Sequence, residues 1–201
     1  MKTSSLEHYT PGHALEAVAF MSRRTAGTHA AFALPFFRAG MRILDCGCGP
    51  GSITMGIAER VMPGGVTGID LSGSQLTQAR DRAATLGVRA EFYEADAYNI
   101  PFQASSFDGV FSHALFEHLA SPHEALRELY RVLKPGGFIA LRSPDWGGFV
   151  LQPLDSDLAQ TLAAYQEMQR ANGGDVYAGR KLPAWLAEAG FKYVVPSASY
   201  E

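Results

Sequence analysis

The sequence has few features of an exported or membrane-spanning protein. Only two of its 201 residues are cysteines, Cys46 and Cys48. Two residues apart in a glycine-rich stretch, they are poorly placed for a disulfide, and they are too few for a thiolate-only zinc site. No apolar run reaches the about 20 residues of a membrane span, and the opening MKTSSLEHYT lacks the apolar core of a signal peptide. We therefore expect a cytoplasmic protein with no membrane span.

Basic charge is also scarce. The sequence has 17 Lys and Arg against 20 Asp and Glu, a net charge of -3 and a pI near 6.1. This balance argues against a broad electrostatic surface for nucleic acid. No carboxylate cluster is suited to an obligatory divalent metal, so we expect no metal. The oligomeric state is left open.

Strands and helices alternate through the middle of the chain. Five short apolar segments predict strands, at about residues 42–45, 66–70, 90–94, 107–111 and 138–142. Segments of helical spacing separate them, which predicts an α/β fold with a Rossmann-like, doubly wound, mostly parallel sheet and helices on both faces. Further helices are predicted at about 11–24, 28–37, 155–170 and 182–189.

We expect a single domain over residues 1–201. Residues 1–40 are predicted to form a helical leader, 41–143 the alternating core, and 144–201 further helices and one further strand at 191–198. A final antiparallel strand that normally follows in this fold class is missing. Because an unpaired edge beside the fifth strand would promote association, we expect the polypeptide to be a fragment of a longer one.

The segment MRILDCGCGPGSIT, residues 41–54, is the centre of the pattern. It reads as a strand, then Asp45 followed by Gly47, Gly49 and Gly51, then a helix start. Such a turn lets backbone N–H groups approach a ligand closely. Asp70 ends the second strand at the spacing of a carboxylate that binds ribose hydroxyls. The two together predict a nucleoside-binding site.

The glycine spacing bears on which nucleoside binds. The dinucleotide pattern G-x-G-x-x-G, begun at Gly47, puts Ser52 where the third glycine should be. The Asp45 carboxylate suits a ligand with an ammonium group and would repel a pyrophosphate. A nicotinamide-dependent oxidoreductase is therefore disfavoured, while a plain tight turn of an α/β protein stays open at this point.

Several blocks together carry a family resemblance: RILDCGCGPG, VTGIDLS, FYEADAYNIPF, FDGVFSHALFEHL and LRELYRVLKPGGFIAL. Their order and spacing resemble the class I S-adenosylmethionine-dependent methyltransferases, in the small-molecule branch with the ubiquinone/menaquinone biosynthesis C-methyltransferases and the type 11 methyltransferases. The resemblance implies S-adenosylmethionine as cofactor and methyl transfer to an oxygen, carbon or nitrogen of a small metabolite. A non-catalytic S-adenosylmethionine-binding or scaffold protein of the same fold is the alternative.

Two absences narrow this activity. The chain has no N/D-P-P-Y/F block after the fourth strand, so methylation of exocyclic amines in DNA is disfavoured. No cysteine lies outside the glycine turn, which removes the thiols expected for arsenite methylation.

The resemblance also implies that residues 1–40 form an N-terminal lid, 41–143 the cofactor-binding core and 144–201 the substrate side. It further implies a contact for each part of the cofactor. Asp70 and Leu71 are expected at the ribose and adenine, and Asp96 and Ala97 at the adenine edge. The methionine end and the methyl group are expected to face Asp45, Gly47, Gly49, Gly51, Ser112 and His113.

For catalysis, His118 is the first candidate general base because imidazole titrates near neutral pH, followed by Glu117 and His113. The alternative is that His118 only packs or orients a loop. Possible substrate contacts are Tyr9 and Arg24 in the leader, together with His13 and Arg23, and Tyr177 and Arg180, which could hold an acidic substrate. Each of the leader residues could equally be an exposed helix residue.

Overall fold

The computed structural model describes residues 7–12 and 14–199, so the candidate His13 lies outside the described residues. The chain divides into two compact units. We call Gly12–His113 with Arg127–Leu141 the core unit, and Met1–Pro11 with Ala114–Leu126 and Arg142–Glu201 the second unit. Whether the chain is a single domain stays a prediction.

The core unit is built on a sheet of five strands. These are β1 Arg42–Cys46, β2 Gly65–Asp70, β3 Ala90–Glu94, β4 Phe107–His113 and β5 Leu133–Arg142. Their order across the sheet is β3-β2-β1-β4-β5, and the pairs β1–β2, β1–β4 and β2–β3 are parallel. The strand order reverses between β1 and β4, and open parallel sheets bind ligands at such a point. The predicted fold class is confirmed.

Seven α-helices are found among the described residues: α1 Leu15–Ser22, α2 Ala26–His29, α3 Ser52–Val61, α4 Gly73–Leu86, α5 Pro122–Val132, α6 Ser156–Ala171 and α7 Ala178–Glu188. Short 3-10 helices form at Leu34–Phe36, Phe116–His118 and Trp146–Gly148. None of the helices within residues 7–12 and 14–199 is both long and apolar enough to cross a membrane.

The N-terminal leader is more broken than expected. The helix predicted over 28–37 is replaced by the four residues of α2 and a separate 3-10 turn. The α-helix ends before Ala30, whose φ of -114° and ψ of 11° lie outside the α-helical region, and Pro35 lies in the first turn of the 3-10 helix, where its missing N–H is tolerated. The leader is fixed to the start of α3, where the Ser52 hydroxyl donates 2.9 Å to the Met21 carbonyl.

The strand predicted at 191–198 is wrong. Residues 191–199 form neither helix nor strand. Tyr193 has a φ of 56°, which is left-handed and incompatible with an extended strand, and its side chain is 99% exposed. A strand needs a hydrogen-bonded neighbour, and alternation of residue types alone does not supply one.

Candidate functional site

The turn after β1 has three positions at which the backbone requires glycine. Gly47, Gly49 and Gly51 have φ values of 75°, 52° and 73°, a region that only glycine occupies without strain. A Cβ on Gly51 would lie 2.9 Å from the Ala79 Cβ, and one on Gly49 would lie 2.8 Å from the Gln75 Oε1. The positive φ of all three residues and the close approach of α4 to Gly49 and Gly51 therefore require glycine in this turn.

A buried carboxylate lies at the start of this turn. Asp45 is 2% exposed, and the Thr54 hydroxyl of α3 donates a 2.6 Å hydrogen bond to its Oδ2. Burial raises the pKa of Asp45 to about 7, against the opposing Thr54 hydrogen bond and with a smaller contribution from the Asp70 charge. An ammonium group placed here would offset the penalty of burying the charge, as the sequence led us to expect.

A second carboxylate is held directly against the turn. The Asp70 Oδ2 accepts a hydrogen bond of 2.8 Å from the Gly49 N–H, and its Oδ1 accepts one of 2.9 Å from the Ser72 N–H. Both oxygens keep a further lone pair for hydroxyl donors. The neighbouring Leu71 is 68% exposed and presents an apolar surface suited to a flat ring.

The remaining predicted cofactor residues follow β3 and β4. Asp96 Oδ1 accepts 2.9 Å from the Tyr98 N–H, which shapes the turn, and Ala97 is buried. The Ser112 hydroxyl donates a hydrogen bond of 2.7 Å to the Cys46 carbonyl, so this side chain links β4 to β1. His113 ends β4, with its ring edge-on to His29 at a centroid distance of 5.1 Å.

In the second unit a buried carboxylate is fixed from two sides. Glu117 is 3% exposed, and the Ser143 hydroxyl donates 2.8 Å to its Oε2. Its backbone carbonyl accepts from the Gln169 Nε2 of α6 and from the Asp175 N–H, each at 2.9 Å. The position of Glu117 is therefore set by three other segments of the chain.

Glu117 lies beside two other predicted residues. The His118 Nε2 is 3.7 Å from the Glu117 Oε1, and the Tyr9 ring meets the His118 ring edge-on at 4.8 Å. The structure thus brings Tyr9 together with Glu117 and His118, which lie more than 100 positions later in the sequence. A carboxylate beside an imidazole favours the protonated imidazolium, which suits a general base.

The expected acidic-substrate contacts are differently engaged. Arg180 Nε donates to the Asp145 Oδ2, and this hydrogen bond lowers the pKa of Asp145. Tyr177 is flanked by the guanidinium groups of Arg180 and Arg170, 5.1 and 5.9 Å from its ring centroid. Arg24, in the core unit, lies over the Phe20 ring at 5.4 Å. The pairing of Arg180 with Asp145 weakens the argument for an anionic substrate.

Sequence reasoning missed the side chains that surround Glu117. They are Ser143, Trp146, Tyr165 and Gln169. Tyr165 and Gln169 are four residues apart on α6 and so share a face, but nothing in the sequence shows that a glutamine is buried. Ser143 and Trp146 could have been found, since they follow the last predicted strand, and residues after the carboxyl ends of strands often bind ligands in open sheets.

Gly174→Ala is expected to destabilise the second unit. A Cβ at this position would lie 2.3 Å from the Glu117 carbonyl oxygen, a backbone atom that cannot move cheaply. Overpacking of this kind costs about 1–3 kcal/mol. Urea unfolding should show the loss, and Gly148→Ala, where nothing lies within 4 Å, is the matched control. Equal stability of the two variants would show that the 174 loop does not pack on Glu117.

Residues 44–141 match the methyltransferase domain family. The chain belongs to that family. This stretch runs from β1 to β5 and contains the glycine turn, both core carboxylates and the Glu117–His118 pair, so the match covers the elements on which the site is built.

Named relatives agree with the family. An uncharacterised methyltransferase of Schizosaccharomyces pombe is 34% identical, over 85% of this chain and 63% of its own length. The 27-O-demethylrifamycin SV methyltransferase of Amycolatopsis mediterranei is 40% identical, over 71% and 49%. A demethylmenaquinone methyltransferase of Thermus thermophilus is 40% identical, over 50% and 46%. The chain spans about half the length of the curated relatives it matches.

The fold is that of S-adenosylmethionine-dependent methyltransferases. A SAM-dependent methyltransferase from Aquifex aeolicus superposes with a TM-score of 0.68, covering 89% of each chain at 20% identity. The predicted family, and the cofactor class that goes with its fold, are confirmed. The individual site residues stay predictions.

Proposed function

We propose that this methyltransferase-family chain binds S-adenosylmethionine and transfers its methyl group to an oxygen, carbon or nitrogen of a small-molecule metabolite. The observation that carries the proposal is the pair of carboxylates at the glycine turn. Asp45 is buried where a cationic amino group would offset its desolvation, and Asp70 is held by the Gly49 N–H. A pyrophosphate would be repelled by both charges.

The residues present fit this cofactor part by part. Asp45 and the glycine turn would hold the methionine end, Asp70 the ribose hydroxyls and Leu71 the adenine face, with Asp96 and Ala97 at the adenine edge. Ser112 and His113 are the last two residues of β4 and would face the methyl group. The cofactor supplies an activated methyl group on a sulfonium centre, whose bonding electrons return to sulfur on transfer.

The chain's own contribution is alignment and proton removal. Alignment of two reactants can contribute about 7–11 kcal/mol in the best cases. For an acceptor that must lose a proton, His118 would take it on its imidazole, and the neighbouring Glu117 carboxylate, 3.7 Å away, would stabilise the resulting cation. His113, edge-on to His29, is the remaining candidate base.

Relatives indicate a range of acceptors. The name of the rifamycin relative indicates methylation at an oxygen, whereas the demethylmenaquinone relative acts on a quinone-class metabolite. We also propose that the reaction takes place in the cytoplasm, because both cysteines are free thiols. A cofactor-binding protein without turnover is the alternative of the same fold.

Asp70→Ala is expected to weaken S-adenosylmethionine binding by at least about 100-fold, since two hydrogen bonds to a charged acceptor are lost. Calorimetric titration measures the effect. Asp81→Ala, an exposed position on α4, removes the same charge from the surface and should bind normally. Unchanged affinity of the Asp70 variant would remove the ribose assignment.

The proposal as a whole is tested by titration with S-adenosylmethionine, S-adenosylhomocysteine and NAD, followed by an acceptor screen read as S-adenosylhomocysteine release. We expect the first two ligands to bind and NAD not to bind. Turnover with a hydroxylated, amine or carbon acceptor supports the transferase. Binding without turnover across the screen favours the non-catalytic alternative, and binding of NAD alone contradicts the proposal.

A further inference from the structure

Two polar atoms in the second unit are buried without a hydrogen bond. Gln169 is fully buried, and its Nε2 donates to the Glu117 carbonyl, which leaves its Oε1 directed elsewhere. The Trp146 indole Nε1 is also shielded from solvent. Within the part of the chain that the structure describes, neither the Gln169 Oε1 nor the Trp146 Nε1 has a hydrogen-bond partner. Leaving such a group unpaired costs about 1–3 kcal/mol, so each atom is suited to a ligand.

The two atoms belong to one cluster around Glu117. The Trp146 and Tyr165 rings are 5.0 Å apart, and Tyr165 precedes Gln169 by one turn on the same face of α6. Burial raises the pKa of Tyr165, and so does the negative charge of Glu117, which is near enough to act on it. We call Glu117, Ser143, Trp146, Tyr165 and Gln169 the acceptor cluster.

The charges of this unit disfavour an anionic ligand. Glu117 contributes a buried carboxylate to the cluster. Two cations of α7 are already paired, Arg180 with Asp145 and Lys181 with Asp175. A carboxylate or phosphate brought to the acceptor cluster would meet a like charge at Glu117, in surroundings that water screens poorly.

The hydrogen-bonding capacities of the Gln169 Oε1 and the Trp146 Nε1 also discriminate between neutral and cationic ligands. The Gln169 Oε1 only accepts a hydrogen bond, and the Trp146 Nε1–H only donates one. A protonated amine satisfies the first and has no lone pair for the second. A hydroxyl group both donates and accepts, so of these groups it alone can pair with either atom.

We propose that the acceptor cluster recognises an uncharged, flat acceptor that carries a hydroxyl group, with Trp146 and Gln169 as the residues that determine specificity. The aromatic rings of Trp146 and Tyr165 supply the surface on which a planar ligand packs. This inference rests on the proposed function, since it names the class of acceptor for that reaction.

Three matched probes test the inference on the whole chain saturated with S-adenosylhomocysteine: 2-naphthol, 2-naphthoate and 2-naphthylmethylammonium. They share one ring system and differ in the charge and hydrogen-bonding capacity of a single group. We expect 2-naphthol to bind at least about tenfold more tightly than either charged probe, measured by calorimetry or ligand-observed NMR. Equal or tighter binding of a charged probe overturns the inference.

Trp146→Phe then removes the indole N–H and keeps a ring against Tyr165. It should weaken 2-naphthol binding about threefold to tenfold, as expected for one hydrogen bond, and leave the affinity for S-adenosylhomocysteine unchanged. Gln169→Met should have a similar effect. Gln160→Met, an exposed glutamine on the same helix, is the matched control and should bind all ligands as the unaltered chain does.

The failures of the two proposals are distinguishable. If S-adenosylhomocysteine itself does not bind to the folded chain, the proposed function fails. If S-adenosylhomocysteine binds and Trp146→Phe retains full affinity for 2-naphthol, only the inference about Trp146 and the acceptor class is overturned.

Discussion

Asp45→Asn is expected to weaken S-adenosylmethionine binding about 10- to 100-fold at pH 8, while it stabilises the ligand-free protein. The binding loss follows from removing the charge that would face the ligand's ammonium group, a charge-assisted contact worth about 1.5–3 kcal/mol. S-adenosylhomocysteine carries the same amino group, so its affinity should fall in parallel. Calorimetric titration of both ligands measures this.

The gain in stability also comes from removing the buried charge of Asp45. The pKa of Asp45 rises from 3.8 to about 7 on burial, and three pH units correspond to about 4 kcal/mol of free energy. An asparagine avoids this penalty but buries an amide that needs a partner, at about 1–3 kcal/mol. The free energy of unfolding of Asp45→Asn should therefore be about 1–3 kcal/mol higher than that of the unaltered chain at pH 8.

The pH dependence separates this explanation from a general packing effect. Between pH 4 and 7 the unfolded chain has lost the Asp45 proton and the folded chain retains it, so this residue makes folding less favourable as pH rises. Above about pH 7 its contribution is constant. The stability advantage of Asp45→Asn should thus grow by about 2–3 kcal/mol from pH 5 to pH 8 in urea unfolding.

Asp81→Asn is the control for this pH series, since Asp81 is exposed on α4. Its stability difference from the unaltered chain should be small and flat with pH. An Asp45→Asn variant that is equally stable at both pH values, or that binds S-adenosylmethionine normally, would contradict the assignment of Asp45 as a buried acid facing the ligand.

The candidate cofactor residues of the core unit could be predicted from the sequence because they are adjacent to strand ends. Asp45, Asp70 and His113 each lie at or next to the end of a short apolar strand, and parallel strands bring such ends to one edge of a sheet. Positive φ at Gly47, Gly49 and Gly51 follows from their density in a tight turn. Predicting these residues required no knowledge of contacts between segments that are distant in the sequence.

The acceptor cluster depends on tertiary packing, and of its five residues only Glu117 was predicted. Glu117 and His118 are one segment, but their partners come from residues 9, 143, 165 and 169. Helical periodicity locates Gln169 on a face of α6 and does not say which segment covers that face. The error at 191–198 has a similar cause, since strand pairing is decided by a neighbour and not by residue pattern.

His118→Ala is expected to slow methyl transfer to a hydroxyl acceptor about 100-fold or more, with S-adenosylmethionine binding unchanged. A positioned general base contributes about 10²- to 10⁴-fold, and the rest of the rate comes from alignment, which the substitution leaves intact. The single-turnover rate of S-adenosylhomocysteine formation with excess 2-naphthol measures the step. His123→Ala is the matched control, because His123 also lies beside a carboxylate, 2.8 Å from Glu188, but on the surface.

Glu117→Gln separates the base from its partner. The amide keeps the size of the side chain and can still accept from Ser143, but it no longer carries the charge that stabilises a protonated His118. The rate should fall while S-adenosylmethionine binding stays unchanged, because the reaction loses a charge that would stabilise the imidazolium formed on proton transfer. An unchanged rate in Glu117→Gln would make Glu117 a structural anchor, and an unchanged rate in His118→Ala would assign the proton to another group, with His113 next to test.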